Sequence, residues 1–177
     1  MITEPFEPVS LPSAQGNRAL LQQGVAAIGR LSAEQYGVAR PGASSVGAQF
    51  RHILDHYAAL FGGLPSRRVN YDARQRDRAL EVDQVAAAAA ARQWIGALDT
   101  LKAASGNLQL TVQSDSGGGP DHPDWRESSL GRELQFLASH TVHHYALIKL
   151  LLEGHGVRLD DDFGMAPSTR AHLAGTG

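Results

Sequence analysis

The chain has no cysteine. That removes disulfides, thiolate nucleophiles and every cysteine-based zinc site, and leaves His, Asp and Glu as the strong metal ligands. It also fits a reducing compartment. Charge of one sign is equally scarce: 16 Lys and Arg stand against 18 Asp and Glu, a formal net charge of -2, so no global field draws the protein onto nucleic acid or an anionic membrane. Long apolar runs are missing, since the stretch from Tyr145 to Leu152 is interrupted by Lys149 and is far too short to span a bilayer. The opening Met1-Ile2-Thr3-Glu4-Pro5-Phe6-Glu7-Pro8 is acidic and proline-broken, without the basic and apolar regions of a secretory signal. No Ser-His-Asp pattern or phosphate-cradling glycine loop is evident, which disfavours a metal-free triad or a nucleotide enzyme. These absences predict a cytoplasmic protein with a small-molecule substrate and with neither nucleic acid nor a membrane as partner.

What is present is helical patterning. A chain of 177 residues that is 42% apolar is long enough to bury one core, and residues 1–177 read as a single domain with a loose start (1–14) and an irregular tail (157–177). Leu20, Leu21, Val25, Ile28 and Leu31 recur at helical spacing and predict a first helix over 15–35. A second begins after Ser44 or Ser45, both suitable caps, carries Val46, Phe50, Ile53, Leu54, Tyr57, Leu60 and Phe61, and stops at Gly62-Gly63-Leu64-Pro65. The alanine run Ala86–Ala91, followed by Trp94, Leu98 and Leu101, predicts a long third helix over 76–104. Residues 108–113 alternate apolar with polar and predict a short extended segment. The fourth helix, 128–153, places Leu130, Leu134, Leu137, Thr141, His144, Ile148 and Leu151 four and three apart, the seam of a bundle helix. The expected fold class is all-α, a four-helix bundle.

Chemistry concentrates in the histidines. Of eight in the chain, four form two pairs at spacing four, His52/His56 and His140/His144. Residues four apart on a helix lie one above the other, so both imidazoles of a pair can meet one ion at about 2.0–2.1 Å without bending the backbone. A second helix must then complete the site, and a three-histidine site between the second and fourth helices is geometrically natural. The competing explanation is a set of packed core histidines, each with its own hydrogen-bond partner. Several imidazoles on one apolar face would need several such partners, whereas one cation satisfies them together. Periodicity leaves His56 open beside His52, and His143 open beside His140, although the seam favours His144 over His143. His122, His155 and His172 fall in loops and are expected to be solvated.

The stretch Ser45-Val46-Gly47-Ala48-Gln49-Phe50-Arg51-His52-Ile53, followed much later by His140-Thr141-Val142-His143-His144, resembles the DinB-like (YfiT-like) metalloenzyme superfamily. The resemblance runs from the first helix to about Gly164. It implies a four-helix bundle in which His52, His140 and His144 hold a divalent metal and leave positions open for water or substrate. His56 and His143 then become pocket candidates around those ligands. The superfamily includes thiol-dependent S-transferases and a thiol-dependent isomerase, which makes a low-molecular-weight thiol an expected cosubstrate.

Between the two motifs lies a basic segment, Arg67 to Arg78, with carboxylates interleaved. It can line the mouth of the site, with arginines positioned to clamp a carboxylate or phosphate and Asp72, beside Tyr71, to orient a histidine or accept a proton. A solvated loop with local ion pairs is the plainer reading. Glu127, Arg132 and Glu133 read as helix-surface charges, with Glu133 placed to face the cavity. The combined expectation is a metal-dependent enzyme in which Zn, Ni or Fe acts as a Lewis acid, either lowering the pKa of water for hydrolysis or activating a thiol for transfer. The alternative is a non-enzymatic module that binds a metal or small ligand. A homodimer through one bundle face is also expected.

Overall fold

The computed structural model describes residues 10–39, 42–114 and 123–166, together with Thr169, His172 and Gly175. The chain is mostly helical. Four long helices carry the core: α1 (Pro12–Ile28), α3 (Val46–Gly63), α5 (Gln84–Asp99) and α6 (Leu130–Glu153), with short helices α2 (Ala33–Gly37) and α4 (Ala79–Val82) between them. α1 packs against α5 and α6, and α3 packs against the same two. The apolar stripes read from the sequence face this interior: Leu20, Leu21 and Ile28 of α1, Phe50, Ile53, Leu54 and Leu60 of α3, and Leu130, Leu134, Leu137 and Ile148 of α6 are all buried. Each such side chain contributes about 1.5–3 kcal/mol on leaving water.

One buried polar link ties three helices together. Asn17 of α1 donates to the Leu134 carbonyl of α6 at 2.8 Å, and the Tyr57 hydroxyl of α3 donates to the Asn17 Oδ1 at 2.6 Å. A buried amide left unpaired is costly, so this bridge constrains how α1, α3 and α6 sit beside one another.

Several boundaries differ from the sequence expectation, each for a local reason. The expected first helix over 15–35 begins earlier, with Pro12 at its first turn, and breaks after Ile28; Ser32 then starts α2 through a capping box with Gln35. The expected third helix over 76–104 is interrupted at Asp83, whose backbone is extended (φ -111°, ψ 102°) and whose carboxylate accepts from the N–H groups of Val85 and Ala86. That cap opens α5, and the helix ends at Asp99, followed by a 3-10 turn over Ala103–Asn107. The fourth helix opens at Leu130, capped by Ser129.

The chain is mostly helical, as expected, but the single extended segment foreseen at 108–113 is one strand of a small three-stranded sheet. β1 (Arg68–Asn70), β2 (Gln109–Gln113) and β3 (Trp125–Ser129) lie in the order β1-β2-β3, with β1 parallel and β3 antiparallel to β2. Val69 pairs with Val112 and Leu110 with Ser128. The alternation at 108–113 predicted β2, but its partners were hidden. β1 sits inside the basic segment, and β3 carries Arg126 and Glu127 and runs straight into α6. The sheet matters to the site because it brings residues 71–74, which follow β1, against the histidine-bearing faces of α3 and α6. Among the described residues, no helix is long and apolar enough to cross a membrane.

Candidate metal centre

α3 presents Gln49, His52 and His56 at spacings of three and four, which places them on one face. α6 presents Phe136, His140 and His144 in the same way. Because α3 and α6 are packed together, the two faces meet. The rings of His52 and His140 lie 5.0 Å apart between centroids, those of His52 and His144 4.5 Å, and those of His140 and His144 4.5 Å. One ring nitrogen from each of His52, His140 and His144 falls within 4.8 Å of the others, a spacing that can hold one metal ion.

Hydrogen bonding sorts the nitrogens. The His144 Nδ1 lies 2.6 Å from the Gln49 Oε1; as the ring N–H donor, it leaves Nε2 with a free lone pair. The His140 Nε2 is buried and has no hydrogen-bond partner. An orphaned buried imidazole nitrogen is costly unless something else engages it. The donor set fits a divalent transition metal, for which imidazole nitrogens are common ligands.

The electrostatics point the same way. Burial, aided by the neighbouring histidines, holds His52 and His140 down to about 3 and His144 down to about 4. All three are therefore neutral at ordinary pH, the form in which imidazole binds a metal.

His56 is buried beside this trio, its ring 4.2 Å from His140 and 4.5 Å from His52. Its Nδ1 donates to the His52 carbonyl at 2.7 Å, and burial lowers its pKa too. Tyr71, just past β1, stacks on His56 at 5.5 Å, and its hydroxyl donates to the Glu133 carboxylate at 2.9 Å. Ser128 donates to the other oxygen of Glu133. Glu133 is thus a buried acceptor that clamps Tyr71, which corrects its reading as a helix-surface charge in favour of the inward-facing alternative. Phe136 packs alongside, with its ring 5.5 Å from His140 and 5.3 Å from Tyr71.

His143 is exposed, its ring 5.1 Å from His144 on the outer side of α6. Asp72 is exposed as well, near enough to act electrostatically on His56 and Arg74. Of the basic segment, Arg74 reaches the site: its guanidinium donates to the Tyr71 carbonyl at 2.6 Å and lies 3.3 Å from the His52 Nδ1. Arg68 instead covers the Trp125 ring at 4.1 Å. His155, expected to be solvated, is half-buried in the turn after α6, His172 is exposed, and His122 lies outside the described residues.

Gln49 was missed as a functional residue by the histidine count, although it falls one turn before His52 on the same face. The basic segment was read as lining the mouth of the site, but nothing in the linear sequence singles out Arg74, whose contact depends on Asn70. The Asn70 Oδ1 accepts from the N–H groups of Asp72 and Ala73, turning the chain back over α3.

Comparison with known proteins agrees with this arrangement. An FK506-binding protein 5 from Rhizopus delemar (strain RA 99-880) is 31% identical to the chain over 105 residues, which are 59% of this chain and 27% of that protein. The chain thus spans about a quarter of the length of this curated relative. No solved structure matches. The family model of the DinB superfamily matches residues 18–148, a span that takes in α1, the His52 helix and the His140/His144 pair, and the chain belongs to that superfamily.

Proposed function

We propose that this chain is a metal-dependent enzyme built as a single four-helix-bundle domain, in which His52, His140 and His144 hold one divalent ion, Zn, Ni or Fe, and leave coordination positions open. The observation that carries the reading is the buried, partnerless Nε2 of His140 within a trio of neutral imidazoles. When bound, the ion supplies Lewis acidity, which serves either hydrolysis or the transfer of a low-molecular-weight thiol to an electrophile.

The protein's own groups prepare the site. Gln49 fixes the His144 ring so that Nε2 turns to the trio, the outer-shell role that carboxamides and carboxylates play beside metal-bound histidines. Phe136 and Tyr71 form the apolar walls that exclude water around His140 and His56. His56 keeps its Nδ1 proton on the His52 carbonyl, so its remaining nitrogen, Nε2, is available as an acceptor for a substrate proton. The substrate is a small molecule, the setting cytoplasmic and the assembly a homodimer in this reading, with no part for nucleic acid or a membrane.

His56 also favours a second reading. Its ring is closer to His140 than any ring of the trio is to another. A fourth imidazole drawn onto the ion would close the site and make the protein a non-enzymatic metal-binding module.

Elemental analysis of protein purified without a polyhistidine tag tests the proposal, with His140→Ala/His144→Ala as the comparison. About one equivalent of metal in wild type and none in the folded variant is the expected result. No metal in either after incubation with Zn, Ni or Fe(II) overturns it. A bound ion with no exchangeable water selects the closed module.

A further inference from the structure

His52 has the wrong kind of neighbour for a metal ligand. A guanidinium has only donors, so the Arg74 Nη2 at 3.3 Å from the His52 Nδ1 can only donate to it. Nδ1 must then carry the lone pair, and a neutral His52 carries its proton on Nε2. His144 is arranged in the opposite sense, with Nδ1 donating to Gln49. A histidine that binds a metal through Nε2 carries its proton on Nδ1 and normally donates it to a carboxylate, carbonyl or water. That proton would point straight at another N–H, on a side chain that also brings a positive charge toward a dication.

We propose that Arg74 is a displaceable latch on the metal site: it holds His52 in the tautomer that cannot ligate through Nε2, and it must release the ring for the ion to bind. This rests on the assignment of His52 as a ligand. Arg74 is suited to release. Asp55, which acts on it electrostatically, is already engaged by Arg51 at 3.0 Å. The Arg74 Nε is buried with no partner, so the docked position leaves one donor unsatisfied and is not the best that the side chain can find. It also donates to the Tyr71 carbonyl, at the start of the turn that Asn70 organises.

The test reads the tautomer and the metal affinity directly. Long-range proton–nitrogen NMR spectra of the metal-free protein should show His52 with its proton on Nε2 and His144 with its proton on Nδ1. Competition of Zn(II) against a chromophoric chelator should then show Arg74→Met binding zinc more tightly than wild type, by about tenfold, since one hydrogen bond to a charged donor no longer has to be broken. Arg74→Lys, which keeps the charge on a shorter side chain without the planar fork, should fall between the two and serves if the Met variant does not fold. His52 found with its proton on Nδ1, or equal zinc affinity in wild type and the Arg74 variants, overturns the latch and leaves the metal site standing. Zinc bound by none of the three at the histidines removes both readings. Zinc bound by Arg74→Met and not by wild type supports the latch in its strongest form.

Discussion

At the scale of single residues, burial decides the chemistry. Four imidazoles from two helices share one small volume, and their partial exclusion from water keeps them unprotonated. The sign of the resulting pH dependence follows from comparing states. In the unfolded chain a histidine titrates near 6.5, while His52 and His140 are held down to about 3 and His144 to about 4 in the folded metal-free protein. Between those limits the unfolded state binds more protons, so stability rises with pH. It is fully present above about 6.5 and is lost as pH falls toward 4. Thermal melts of the metal-free protein should drop steadily from pH 7 to pH 5, and His140→Ala/His144→Ala should flatten that slope. An unchanged slope would mean that the imidazoles are better solvated than their burial implies. Gln49→Leu offers a second check. Without an acceptor for its Nδ1 proton, His144 loses its fixed orientation, and metal affinity should weaken by about 10- to 100-fold in a chelator competition.

At the scale of elements, caps and close approaches set where the helices lie. Asp83 opens α5 by accepting two backbone N–H groups, so Asp83→Ala should cost about 1 kcal/mol in urea unfolding. Gly47, five residues before His52, lets α3 come up against α4: a β-carbon there would sit 2.0 Å from the Glu81 carbonyl oxygen and 2.7 Å from the Tyr36 ring. Gly47→Ala should therefore destabilise by about 1–3 kcal/mol. Because Glu81 also anchors Arg51 one residue before His52, the same variant should weaken metal binding. A Gly47→Ala protein with wild-type stability would place the two backbones farther apart than this packing requires.

At the scale of the whole molecule, the site is a clasp between α3 and α6, segments nearly ninety positions apart in the chain. An ion held by His52 from one and His140 and His144 from the other binds the folded state alone. At free zinc about a hundred times Kd, the folded protein should gain about 2.7 kcal/mol, read as a rise in Tm that vanishes in His140→Ala/His144→Ala. His52→Ala should abolish most of the gain, since the two imidazoles left both lie on α6 and no longer clasp the two helices. The buried link from Asn17 through Tyr57 holds α1 to the same pair of helices, so the clasp closes on a prebuilt scaffold.

What the sequence determined by itself is what depends on local period and composition. The spacing of His52, His56, His140 and His144 put each pair on one helical face, the apolar stripes located α3 and α6, and the Ser44-Ser45 pair marked the start of α3, for which Ser45 is the cap. The absence of cysteine left histidine as the obvious ligand type. What only the tertiary structure decided is what depends on chain segments meeting. Residues His52 and His56 share a face, and periodicity could not rank them. Packing placed a nitrogen of His52 within reach of nitrogens of His140 and His144 and committed the Nδ1 of His56 to a backbone carbonyl. The strands β1 and β3 were illegible because they are short, mostly charged or polar, and become strands only by pairing with β2. That pairing in turn delivers Tyr71 to Glu133 and Arg74 to His52, contacts across 62 and 22 positions of sequence that no local pattern could encode.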